Sequence, residues 1–167
     1  MFFSKVVVAA TASAGLAAAV SNSTATATLG NITVAMVRSA PPNWPSPLLN
    51  YDWTDSVLNI SETVDAGISL IKKAAQDGAG IITFPELWFP GFPKGNAENN
   101  WTVHYLSNYI HNSLTIGSPN WNRLIEAIKE AGIYAGLAYS ELKGDNIFMS
   151  QTLISPLGDI LAHRHKV

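Results

Sequence analysis

The run Ile81-Ile82-Thr83-Phe84-Pro85-Glu86-Leu87-Trp88-Phe89-Pro90-Gly91-Phe92-Pro93 is where this chain passes from structure to chemistry. It opens directly after Gly78-Ala79-Gly80 with a short apolar stretch, the mark of a buried strand, and a proline followed at once by a carboxylate ends it. Proline has no N–H to give a ladder, so Pro85, Pro90 and Pro93 exclude a longer strand and predict a stiff aromatic loop. Glu86 is thereby placed at a strand end, beside Leu87, Trp88 and Phe89. A carboxylate shielded by such groups is suited to taking and returning a proton near neutral pH, which is a catalytic posture. The same spacing also fits a solvated glutamate at a strand exit.

Upstream, Ile32 to Val37 reads as a strand, and Arg38 to Pro47, with its prolines, as the loop that leaves it. From Glu62 to Gln76, Val64, Ile68, Ile71 and Ala75 fall on one helical face, and the charged residues lie mostly off it. Asn59, with Glu62 three positions on, has the pattern of a capping box, and Asp77-Gly78 ends the helix. This strand, helix, strand unit packs its helix on one face of the sheet. The carboxyl end of the second strand, with Glu86, is left open for a site.

Downstream, Lys94 to Gly117 is irregular, and Trp101, His104, Tyr105, Tyr109 and His111 predict either a loop over the mouth of the site or a satellite core. His104 and His111 would be two helical turns apart, too far to share a metal ion. Ser118-Pro119 starts a helix with Trp121, Leu124, Ile125 and Ile128 on one face, and Gly132 stops it. Ile133 to Ser140 alternates as a strand, Lys143-Gly144-Asp145-Asn146 turns it into Ile147 to Ile154, and Pro156-Leu157-Gly158-Asp159 turns that into Ile160 to Lys166. In the last strand a period of two sends Arg164 and Lys166 to one face and His163 and His165 to the other. Two histidines so spaced could ligate zinc, but with no cysteine and no third ligand close in sequence the expectation is a polar strand end and no metal.

With 47% hydrophobic and 13% charged residues the 167-residue chain is globular in character and poor in charge. Its net charge of −2 and scattered Lys and Arg give no stripe for nucleic acid. It contains no cysteine, hence no disulfide and no cysteine-ligated metal.

Five segments in the same order resemble the nitrilase, or carbon–nitrogen hydrolase, superfamily: Thr33 to Val37, the helix before Gly78, the Phe-Pro-Glu-Leu-Trp-Phe-Pro-Gly-Phe-Pro run, the hairpin Ile133 to Ser155, and Gly158 to Lys166. The resemblance implies the amino-terminal half of an α-β-β-α layered sandwich over residues 28–167, lacking the carboxy-terminal half. It implies Glu86 as general base and Lys166 as the group that stabilises transition-state charge. A histidine stands between Arg164 and Lys166 where others of the family have Arg-Lys. The family's nucleophile is a cysteine some tens of residues beyond that lysine. These residues alone are therefore expected to be inactive. The implied substrate is a small nitrile, or the amide or carbamoyl compound of neighbouring branches, with no organic cofactor and no metal, and the full-length form is expected to be a homo-oligomer. A secreted, noncatalytic binding glycoprotein is the alternative from another class.

Met1 to Lys5 and the small apolar run Val6 to Val20 have the order of a secretory signal, predicting a leader over residues 1–27 and secretion, with a cytoplasmic location as the alternative. The run is too short and alanine-rich to read as a membrane span. Sequons at Asn22, Asn31, Asn59 and Asn100 fit the secretory route, although a glycan on Asn59 would compete with its role as a cap.

Overall fold

The computed structural model describes residues 4–8, 31–44, 57–93 and 105–166. They form one mixed six-stranded sheet in the order β1-β2-β3-β4-β5-β6, in which β1 is Ser4–Val8, β2 Ile32–Met36, β3 Ile81–Thr83, β4 Tyr134–Lys143, β5 Asn146–Ile154 and β6 Ile160–His165. The helices are α1 (Ile60–Gln76), α2 (Leu106–His111) and α3 (Pro119–Ala131). Strands β2, β3 and β4 run parallel, because α1 connects the first pair and α3 precedes β4, whereas β4, β5 and β6 form an antiparallel meander. The expected α/β architecture, a mixed sheet with helices on one face, is what the chain adopts. Ser4–Val8, read from sequence as part of a leader, pairs antiparallel with β2 as an additional strand.

Amphipathicity and capping place the helices. Asn59 accepts from the Ser61 and Glu62 N–H groups at 3.1 and 3.3 Å, and its Nδ2 donates to Glu62 Oε1 at 3.0 Å, so the predicted cap starts α1. The Ser118 hydroxyl accepts from Trp121 N–H, and Gly132 at φ 66° ends α3, a conformation that a side chain would disfavour. Val64, Leu70, Ile71 and Ala74 of α1 and Trp121, Leu124 and Ile128 of α3 share one core with Ala35, Ile82, Ala135, Leu137, Tyr139 and Ile154 of the sheet. Burial of this apolar surface is the main stabilising contribution, about 25 cal/mol for each Å² removed from water. Salt bridges Lys72–Glu130 and Arg123–Asp65 join the exposed edges of the two helices.

Of the aromatic stretch after Lys94, Trp101 and His104 lie outside the described residues. Tyr109 lies in α2, packs with Leu58, Trp44 and Tyr105 in a second small cluster, and donates its hydroxyl to Gly91 O at 3.1 Å. Burial pushes its phenol up to about 12. These residues follow the satellite-core reading, and His111 remains exposed with Nδ1 at 2.6 Å from Ser107 O.

Candidate active site

Glu86 stands on a short excursion from the edge of β4. Phe84 N–H donates to Gly136 O at 3.0 Å, Phe89 N–H to Ala138 O at 3.4 Å, and Ser140 N–H to Phe89 O at 2.8 Å, so both ends of the excursion are tied to the same strand. Between them Trp88 N–H closes a turn on Pro85 O at 3.1 Å, with Leu87 at φ 53°. A left-handed residue bearing a Cβ costs about 1–2 kcal/mol, and here its neighbours are anchored firmly enough to hold it. Phe84, Trp88 and Phe89 pack with ring centroids 4.7, 4.9 and 5.1 Å apart, and the Trp88 indole donates to Ser39 O at 2.8 Å. Gly67 of α1 leaves the space they need, since a Cβ there would lie 2.8 Å from the Phe89 ring.

That packing corrects one expectation. The rings beside Glu86 were expected to shield it, but Leu87, Trp88 and Phe89 are turned into the core, and the Glu86 side chain keeps 39% of its surface exposed. The apolar groups find more area to bury beneath α1 than they would find around a carboxylate.

Lys166 arrives from the other direction. Its backbone N–H donates to Met149 O at 2.8 Å, which continues the β6 pairing past His165. Its Nζ lies 2.9 Å from Glu86 Oε1 and 3.1 Å from Oε2, so residues 80 positions apart meet in a two-point ion pair. A pair this open contributes at most about 1 kcal/mol to stability; what it fixes is position. Arg164, on the same face of the strand, donates to Gln151 Oε1 at 2.8 Å and takes no part in that pair. A groove of about 350 Å³ is lined by Thr83, Phe84, Gly136, Ala138, Gln151 and Arg164 among others; neither Glu86 nor Lys166 lines it.

On the other face of β6 the structure assembles a second group that sequence reasoning missed. Glu141, 2% exposed, receives the Ser150 hydroxyl at 2.6 Å and lies 3.2 Å from Nε2 of both His163 and His165. The signal was present: the inward positions Ala135, Leu137 and Tyr139 of β4 continue in register to Glu141. Next to it the Tyr139 hydroxyl meets Thr152 Oγ1 at 2.8 Å. Burial first, and the nearby Glu141 charge, hold the Tyr139 phenol well above its ordinary range, against the opposing Thr152 bond.

The model of the carbon–nitrogen hydrolase family matches residues 33–167. This chain belongs to that family. Among similar relatives, a nitrilase of Talaromyces marneffei is 40% identical over 116 residues, 66% of this chain and 35% of the relative. A cyanide hydratase of Botryotinia fuckeliana is 37% identical over 121 residues, covering 69% and 30%, and an aliphatic nitrilase of Rhodococcus rhodochrous 36% over 114, covering 66% and 30%. The chain spans about a third of the length of these relatives. The fold is shared with an amidase from Nesterenkonia sp. (TM-score 0.54, 17% identity, 81% of this chain and 43% of the amidase). It is shared also with the C. elegans NitFhit protein (TM-score 0.56, 12% identity, 80% and 27%).

Proposed function

We propose that this carbon–nitrogen hydrolase chain supplies the base and the cation of a nitrile-hydrolysing site that converts small nitriles to carboxylic acid and ammonia. The observation that carries the reading is the Lys166–Glu86 contact at 2.9 and 3.1 Å. In the mechanism that the family resemblance implies, a cysteine thiolate adds to the nitrile carbon and charge develops on the nitrogen. Glu86 takes the proton of the thiol and passes it to that nitrogen; a first water, deprotonated by Glu86, adds to the thioimidate so that the protonated nitrogen leaves as ammonia, a second water hydrolyses the resulting thioester to acid and free thiol, and Lys166 stabilises the charge that develops. Holding the ammonium on the carboxylate keeps both groups at one place before substrate arrives. No cysteine occurs in these 167 residues, so on this reading they release no ammonia by themselves. The nitrile branch is favoured because a nitrilase, a cyanide hydratase and an aliphatic nitrilase are 36–40% identical to the chain. The amidase or carbamoyl branch is the second reading, supported by fold likeness to an amidase of which a double mutant was solved with acrylamide.

The deciding experiment measures ammonia release from a panel of small nitriles and amides by the native polypeptide that contains these residues. Glu86→Gln and Lys166→Ala should each lower kcat by about 10²–10⁴-fold. Unchanged turnover in either variant would remove the assignment of that residue. For the leader and the sequons, secretion of a glycosylated product is our reading of the pattern alone, and amino-terminal sequencing with a glycosidase mobility shift tests it.

A further inference from the structure

Strand β6 is an edge strand with mostly exposed side chains, yet its two histidines are turned inward, their side chains 25% and 27% exposed. His163 Nε2 and His165 Nε2 are each 3.2 Å from Glu141 Oε2 and 3.3 Å from one another. The three contacts form a nearly equilateral triangle of ligating atoms. Hydrogen bonding accounts for only part of it. Each Nε2 carries at most one proton, so two sides of the triangle can be bonded and the third cannot. A cation at the centre satisfies all three at once. Zinc bonds of about 2.0–2.1 Å in tetrahedral array separate neighbouring donors by about 3.3–3.4 Å, so the triangle fits such an ion almost without adjustment.

The surroundings are those that orient ligands. His163 Nδ1 lies 2.8 Å from Thr152 Oγ1, which the Tyr139 hydroxyl meets at 2.8 Å, so the outer nitrogen is engaged and Nε2 faces the triangle. Ser150 holds Glu141 Oε2 at 2.6 Å. The His165 ring stacks on Phe148 at 4.0 Å and 9°, which fixes its plane. Two imidazoles and one carboxylate select a borderline divalent ion over calcium or magnesium, which prefer all-oxygen sets. The partly open histidine side leaves a fourth position to water.

We propose that Glu141, His163 and His165 bind a divalent transition-metal ion of zinc's ligand preference, fastening the edge strand β6 to β4 across β5. The role is separate from the proposed hydrolysis, because alternation along β6 puts these histidines on the face opposite Lys166.

The test uses the tag-free 167-residue chain, stripped with a chelator and titrated with Zn²⁺ against a chromophoric competitor and with Co²⁺ as an optical probe. The expected results are one ion per chain, the intense visible absorption of four-coordinate cobalt, and a melting temperature that rises with Zn²⁺. His163→Ala and His165→Ala should each weaken Zn²⁺ binding at least about 100-fold and remove the cobalt spectrum, and Thr152→Val should weaken it about 10–100-fold. Circular dichroism of each variant separates loss of the site from loss of the fold, and the titrations of the unaltered chain test the proposal even where a variant does not fold. Failure of the unaltered chain to bind, or equal binding by the His163→Ala/His165→Ala double variant, overturns the proposal.

Discussion

The two faces of β6 carry charge in opposite ways. Lys166 meets Glu86 in the open, with side chains 54% and 39% exposed, across two segments that touch there through long side chains. On the reverse face the Glu141 side chain is buried and is surrounded by Ser150, His163 and His165, all delivered by hydrogen-bonded strands. Water screens the first group and leaves it free to exchange partners; the second has no such freedom, because a buried carboxylate without partners costs several kcal/mol. Chemistry can be expected of the first and mechanical fastening of the second.

The sharpest way to break this contrast is to exchange the losses. Glu86→Gln in the native polypeptide should reduce turnover about 10²–10⁴-fold while changing unfolding free energy by less than about 1 kcal/mol; a large fall in urea midpoint would mean that the exposed pair is structural after all. Glu141→Ala should do the reverse to the fold, costing about 1–3 kcal/mol in equilibrium unfolding because it leaves the buried Ser150 hydroxyl and two half-buried histidines without their acceptor. Between these, Gly67→Ala presses a methyl toward Phe89 at 2.8 Å and should cost about 1–3 kcal/mol. Because Phe89 anchors the excursion that carries Glu86, this variant should also lower kcat, as steady-state kinetics would show. The smallest effect is expected of Asn59→Ala, about 1 kcal/mol from the lost cap, with kinetics unaltered.

Local signals carried most of the architecture. Asn59 and Ser118 as caps, Gly132 as a stop and the alternation through Ile133 to Ile154 each depend on a few neighbouring residues, and each is found where the pattern puts it. Glu86 and Lys166 could be named from motifs, and the structure brings their side chains together. Their surroundings could not be read, since whether Trp88 and Phe89 cover an acid or enter a core depends on the space left by Gly67, far upstream. Glu141 was missed for a related reason. Its histidine partners sit 22 and 24 residues away on a strand that is not its neighbour, and a search for ligands near His163 and His165 along the chain does not reach it.

The order of the sheet has a consequence for how the protein is made. Among the described residues every strand lies beside its predecessor in the sequence, so none of these strands must be inserted between two that already exist. As the chain leaves the ribosome, each new segment meets a docking edge completed moments before, and the sheet can grow in the direction of synthesis. Lys166 follows β6, so its pair with Glu86, whose segment is tied to β4, forms only after β4, β5 and β6 have been laid down in turn.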